Sequence, residues 1–444
     1  MKKTFFRYVI PSMIAFLFCG LYTMVDAFFV GRNVGDSGLA AINIAYPLVA
    51  LVQSLGTGIG IGGSVFISMS IGSGDPARER KFLCVTLIFL AAASVFFTAL
   101  LLLVYPPVLH AFGAYGEVHE KSSEYIRVIL YGAAFQVFST GLIPVLRNYG
   151  RSVLAMGAQV SGFITNIVLD WLFVQVLGKQ LFGAALATII AQAVTVVPCA
   201  VWLILKKRGG GKFRFSFRDF GGIVRVGLSP FGITLCPNIG VVVMNRFAYD
   251  HGGDPAVAAY AVIAYVYFAL LLILQGIGDG AQPLISRCYG ENNEKDALAV
   301  RRYAFVTSAV AAIVLFVALF FTKDLIPAAF GAGEDAAAIA AHAFPIFGVG
   351  VLFASVSRIC TAYFYSVKSN AFAYVTVYGE VILLTLFAAF LPLWLGLDGL
   401  WIANPVSQAV VAALGVIFCA VSDRRRRTNP APAPQEEPQG EKTR

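Results

Sequence analysis

Gly58-Ile59-Gly60-Ile61-Gly62 sits within residues 50–72, ALVQSLGTGIGIGGSVFISMSIG, a run without a single Asp, Glu, Lys or Arg. A bilayer core takes roughly 20 apolar residues per helix, and glycine is common in such helices. The pattern returns 218 positions later as Gly276-Ile277-Gly278-Asp279-Gly280. At that offset Ala40-Ala41 falls on Ala258-Ala259, Ile67-Ser68 on Ile285-Ser286, and Gly72 on Gly290. Near the end of each half, an offset of 216 puts Gly183, Ala187 and Gln192 on Gly399, Ala403 and Gln408. One membrane-spanning pattern is written twice.

Composition agrees. The 444 residues are 58% hydrophobic and 13% charged, with a mean hydropathy of +0.78. A soluble protein carries roughly 25% charged residues, and a disordered chain needs low hydrophobicity. Both classes are excluded. Cys19, Cys84, Cys199, Cys236, Cys288, Cys360 and Cys419 are scattered singly through apolar runs, and the four histidines show no metal-ligand spacing. Neither a disulfide framework nor a metal site is expected.

Twelve apolar stretches follow one another, at roughly 8–30, 39–71, 82–105, 123–147, 153–177, 183–205, 223–249, 257–287, 300–321, 337–365, 370–393 and 400–421. The expected fold is an all-α polytopic membrane protein of two pseudo-symmetric six-helix bundles that enclose a V-shaped cleft. Residues 1–205 form the first lobe, 206–222 a basic linker, 223–422 the second lobe and 423–444 a disordered tail. The first stretch is too long for a cleaved signal peptide, and no small-residue cleavage site follows it.

Threading these spans collects 26 of the 33 Lys and Arg at one end, including Lys2, Arg78, Arg147, Lys206, Arg287 and Arg424 to Arg427. The positive-inside rule makes this end, with both termini, cytoplasmic. The localisation expected is the cell membrane. The net charge of +9 then calls for no nucleic-acid partner. Arg424 to Arg427 read as a clamp on anionic lipid headgroups. Because six is even, both halves start on the same side, which places the pseudo-symmetry axis along the membrane normal. Duplicated halves with a site at mid-membrane are a carrier design.

A carboxylate inside a span is costly and defaults to a functional reading. Asp26 and Asp170 lie near the outer ends of helices 1 and 5, at a shared depth. Tyr22 and Asn166 each precede an acid by four residues, on the same helical face, and Thr188 reaches this layer from helix 6. Burial and a neighbouring acid favour a protonated carboxyl, whereas donors favour the charged one, so such a cluster suits exchange of a proton for a cation. Asp26, Asn166 and Asp170 would equally suit Na+. In the second half, Glu380, Asp279, Arg246 and Arg358 fall in or near spans and are expected to include a static Arg–carboxylate pair. Gln275 and Gln282 flank the helix 8 glycines and either line a cavity or join helices.

Several segments together resemble the multidrug and toxic compound extrusion (MATE) family of cation-coupled exporters. They are Asp26-x-x-Phe29-Val30-Gly31 with Leu39-Ala40-Ala41, Gly72-x-Gly74-Asp75, and Leu146-Arg147-Asn148-x-Gly150. Asn166-Ile167-Val168-Leu169-Asp170, Gly183-Ala184-Ala185-Leu186-Ala187-Thr188 and Gly280-x-Gln282-Pro283-Leu284-Ile285-Ser286-x-x-x-Gly290 continue the set. The likeness spans about 5–422, with most similarity to the DinF-like branch. It implies antiport of H+ or Na+ against amphipathic organic cations by alternating access. It further implies a coupling site at Asp26 and Asp170 with Tyr22, Asn166 and Thr188, helix bending at Pro11, and no cofactor. A monomer is expected. The other branch carries a helix 7 glutamate, but Pro230 to Pro237-Asn238 contains no acid, which speaks against a second-lobe sodium site.

Two alternatives stand beside this. A lipid-linked oligosaccharide flippase of the same superfamily would need a cationic cavity, with only Arg246, Arg358 and Arg127 available. A membrane enzyme would need clustered catalytic side chains, and no such spacing occurs.

Overall fold

In the computed structural model, residues 1–34, 36–206 and 216–428 are described. The basic linker segment 207–215 and the tail 429–444 lie outside them, as do the side chains of Asp26 and of Arg425 to Arg427. Among the described residues the structure is helical, with no strand. The helices are α1 (Lys2–Val34), α2 (Asp36–Gly72), α3 (Pro76–Ala111), α4 (Gly116–Tyr131), α5 (Ala133–Asn148), α6 (Ser152–Asp170) and α7 (Gln180–Leu205). They continue as α8 (Phe217–Gly290), α9 (Glu294–Thr322), α10 (Leu325–Ala329), α11 (Glu334–Ser366), α12 (Asn370–Phe390) and α13 (Pro392–Thr428).

Ten helices are each long and apolar enough to cross a membrane, and the pair α4–α5, bent by 58°, makes an eleventh span. α8 counts once in that number, yet 74 residues would make a straight helix about 110 Å long, over three times a bilayer core. It breaks at Gly253 (φ 63°, ψ −158°). Both of its ends lie against α2: a Cβ on Gly62 would sit 2.5 Å from the Ile223 carbonyl oxygen, and one on Gly72 would strike that of Arg287. α8 is therefore two arms folded back on each other, which carry the seventh and eighth stretches.

Three boundaries depart from the expectation. The fourth stretch is broken at Gly132, where the missing side chain lets Ile189 of α7 close in. The fifth stretch, α6, ends at Asp170 and passes into a π-helical turn, Trp171–Val176. α13 stays helical through Thr428, into the residues expected to be a disordered tail.

Turn chemistry repeats as faithfully as the spans. Eight of the eleven described residues with positive φ pair up at the 218-residue offset: Gly74 with Asn292, Gly113 with Gly331, Gly150 with Lys368, and Gly178 with Gly396. The residue after the first pair caps the next helix in both halves. Asp75 accepts from the Arg78 amide at 2.9 Å and Asn293 from the Asp296 amide at 3.1 Å. The shift to 216 thus arises between Gly396 and Gly399.

The two glycine motifs make equivalent contacts. On α2, Gly58 and Gly62 let the first arm of α8 approach at Gly227 and Ile223. On α8, Gly276 and Gly280 let α1 approach at Met13 and Val9. Gly60 and Gly278 instead face their own halves, at Gly141 of α5 and Ala362 of α11. Gly72 meets Arg287, and Gly290 meets the Met69 carbonyl. The halves are thus joined at the basic end by backbone against backbone, the close packing that small residues permit in membranes. α2 is the most enclosed span (61% of its apolar window buried), whereas α3 and α9 (22% each) carry exposed side chains such as Leu103, Phe96 and Phe321. In lipid those faces need no cover.

Candidate functional site

The first half holds a cavity of about 10 Å³, lined by Tyr22 of α1, Phe163 and Asn166 of α6, and Thr188, Gln192 and Thr195 of α7. That is room for about one water molecule or a bare cation. Gly162 forms its floor, since a Cβ there would collide with Thr195 Oγ1. The Tyr22 and Phe163 rings stack at 5.3 Å and 10°, closing one wall. Thr188 and Thr195 donate to the carbonyls of Ala184 (3.1 Å) and Ala191 (3.0 Å), so their remaining lone pairs can face a donor or a cation. Gln192 is fixed by the Ser139 hydroxyl, which lies between Gln192 Oε1 and the Gln136 carbonyl oxygen.

Asn166 is buried (1% exposed), and neither Nδ2 nor Oδ1 of its amide has a hydrogen-bond partner among the described residues. A buried unpaired amide costs about 1–3 kcal/mol. Asp170, one turn on and equally buried, stands where α6 changes to π geometry. Such π turns cluster at functional sites. Of the five residues expected to form the cluster, the structure brings Tyr22, Asn166 and Thr188 to one cavity and puts Asp170 a turn away. The Asp26 backbone is helical one turn beyond Tyr22, but its side chain lies outside the described residues. Gln192, Thr195, Phe163 and Ser139 were missed, although the offset that pairs Gln192 with Gln408 marked one of them.

That pairing exposes a difference between the halves. Ser357 donates to Gln408 Oε1 at 3.4 Å, repeating the Ser139–Gln192 bond. The 218-residue offset also carries Thr140 to Arg358 and Gly162 to Glu380. Arg358 Nη2 reaches Glu380 Oε1 at 3.3 Å, and Gln408 Nε2 donates to the same oxygen at 2.8 Å. Where the first half has a cavity floored by glycine, the second has a carboxylate with its own guanidinium. Its acid already holds a cation.

The remaining second-half residues go elsewhere. Arg246 is 73% exposed in its side chain and pairs with Asp250 at 3.2 Å. Asp279 pairs with Arg147 at 3.3 Å, Gln275 Nε2 donates to Asp279 Oδ1 at 2.6 Å, and Gln282 exchanges hydrogen bonds with Asn148. Arg147 is therefore not a headgroup residue of the basic end but an interior one, 5% exposed. Pro11 is buried within α1, which runs unbroken from Lys2 to Val34.

The family model MatE matches residues 11–172 and again 230–391, once in each half. The chain belongs to the MatE family. Among curated relatives, a multidrug export protein MepA of Staphylococcus saprophyticus is 25% identical over 289 residues, and one of Staphylococcus aureus (strain MSSA476) is 24% identical over 294. Each alignment covers 64% of this chain and 64% of the relative, so the chain spans somewhat under two thirds of the MepA proteins it matches. Solved transporter structures match over nearly the full length. A MOP superfamily transporter from Pyrococcus furiosus, described with a binding pocket of reverse polarity, superposes with a TM-score of 0.90 at 26% identity, covering 96% of both chains. An outward-facing multidrug resistance MATE family transporter gives 0.89 at 25% identity, covering 96% of this chain and 97% of its own.

Proposed function

We propose that this MatE protein is a secondary active exporter that expels amphipathic organic cations and takes up H+ or Na+ in exchange. The observation that carries the proposal is the contrast between the halves. Glu380 of the second half is paired with Arg358, whereas the first half has at the equivalent layer a cavity sized for a small ion, lined by the Asn166 amide, which has no hydrogen-bond partner among the described residues, one turn from Asp170. Exchange of the coupling ion therefore belongs at Asp170, Asn166, Thr188 and Tyr22, with Asp26 completing the site from α1. Alternating access moves one half against the other, and α1 bends at Pro11, where the helix lacks one amide donor. The protein works as a monomer in the cell membrane, with its basic end and both termini in the cytoplasm. The names of the MepA relatives support the substrate class. A sequence without GxxxxGK[ST] supports ion rather than nucleotide coupling. The flippase alternative is weakened because the two arginines buried among the described residues, Arg147 and Arg358, already face carboxylates.

The test is transport of a cationic dye in proteoliposomes under independently imposed pH and sodium gradients. One of the two gradients should drive dye movement, and Asp26→Asn or Asp170→Asn should abolish it. Wild-type rates in both variants would remove the coupling site. No movement under either gradient would remove the exporter reading.

A further inference from the structure

α5 contacts the first-half cavity near its start and the second half at its end. Ser139 holds Gln192, and two turns on Arg147 and Asn148 reach across to the second arm of α8. Arg147 Nη1 donates to Asp279 Oδ2 at 3.3 Å and to Ser12 Oγ of α1 at 3.1 Å, and its guanidinium lies 5.6 Å from the Phe16 ring centre. Asp279 Oδ1 accepts from Gln275 Nε2 and, at 3.3 Å, from the Tyr365 hydroxyl of α11. Beside this pair, Asn148 Nδ2 donates to Gln282 Oε1 at 2.9 Å, and Gln282 Nε2 lies 3.2 Å from Asn148 Oδ1 and 3.0 Å from Ser286 Oγ. The side chains of Arg147 and Asp279 are 7% and 6% exposed.

The pair has no twin. The 218-residue offset carries Arg147 to Tyr365 and Ile61 to Asp279. The two ends that repeat, of α5 and α11, thus converge on one acid that only α8 possesses. A fold needing only glue could use the glycine contacts on both sides. Two opposite charges buried between moving halves do something else. Together they are stable, but apart each is left uncompensated unless water enters, so the contact has two states, dry and closed or wet and open.

We propose that Arg147–Asp279, with Asn148–Gln282 beside it, is the latch that holds the halves together at the basic end during the transport cycle. Neutralising Asp279 releases it. The proposal rests on the exporter reading for its purpose but not for its measurement, since latch opening is read without substrate or gradient.

Hydrogen exchange of the full-length protein in detergent, followed by mass spectrometry, reads it segment by segment. In Asp279→Asn, residues 66–75 and 283–293 should exchange about tenfold faster than in wild type, with residues 108–118 and 325–335 at the far end unchanged. Arg147→Lys keeps the charge without the planar fork and should fall between. The exchanged pair Arg147→Asp with Asp279→Arg should restore protection at the basic end. Uniformly faster exchange in both single variants, or unchanged exchange at the basic end, would overturn the latch. So would failure of the exchanged pair to protect while Arg147→Lys behaves as wild type. Failure of the wild-type protein to move dye, with the exchange results as expected, would count against the exporter alone.

Discussion

Asn166 separates a working site from a structural polar knot. Its amide is buried and unpaired among the described residues, beside a cavity with room for one small occupant. If the amide exists to meet a transported ion, replacing it by an apolar isostere removes a desolvation cost. Asn166→Leu should therefore unfold no earlier, and about 1 kcal/mol later, while losing coupled transport. A drop in melting temperature in detergent would mean that the amide holds the fold instead. Arg358 predicts the opposite. Arg358→Ala leaves Glu380 buried with Gln408 alone and should cost about 3 kcal/mol, whereas Arg358→Met with Glu380→Leu should recover most of it. Thermal unfolding of the two variants side by side checks this. The identity of these residues was legible in the sequence, since an acid inside a span is conspicuous. Their partners were not: Asp279 could have paired with Arg246 or Arg358 on spacing alone, and its partner came from Arg147, a residue read as marking the membrane surface.

Among the helices, glycine position matters more than helix propensity. Gly280 faces α1 so closely that a Cβ would lie 2.7 Å from the Val9 Cα. Backbone cannot yield as a flexible side chain can, so Gly280→Val should push α1 off α8 and cost about 1–3 kcal/mol or more. Gly157, with nothing within 4 Å of a Cβ, is the control and should tolerate Ala. Melting temperatures of the two variants should differ in that order. The repeat made the glycines visible as a pattern, but not which of them face the other half. Gly60 and Gly62 are two residues apart and meet different halves, because successive helical positions point about 100° apart. The breaks at Gly132 and after Asp170 were not legible either. Both stretches have the apolar length of a simple span, and the bend at Gly132 depends on where α7 lies.

At the scale of the molecule, the proposed orientation, with the basic end in the cytoplasm, can be tested by labelling. A single cysteine replacing Lys121 or Lys323 in a cysteine-free chain should react with an impermeant maleimide added to intact cells, and one replacing Lys295 only after lysis. The reverse pattern would invert the topology. By itself the sequence determined the membrane class, the near-twofold repeat and the shortlist of interior acids. All three follow from composition and spacing along one chain, because a bilayer imposes fixed span lengths and a high cost on charge. The tertiary structure alone decided that one half keeps an open cavity while the other fills the equivalent layer with Arg358 and Glu380. It also decided that Arg147 crosses between the halves to Asp279. These outcomes depend on which helix faces meet, and residues 132 positions apart carry no local signal of each other until the helices pack.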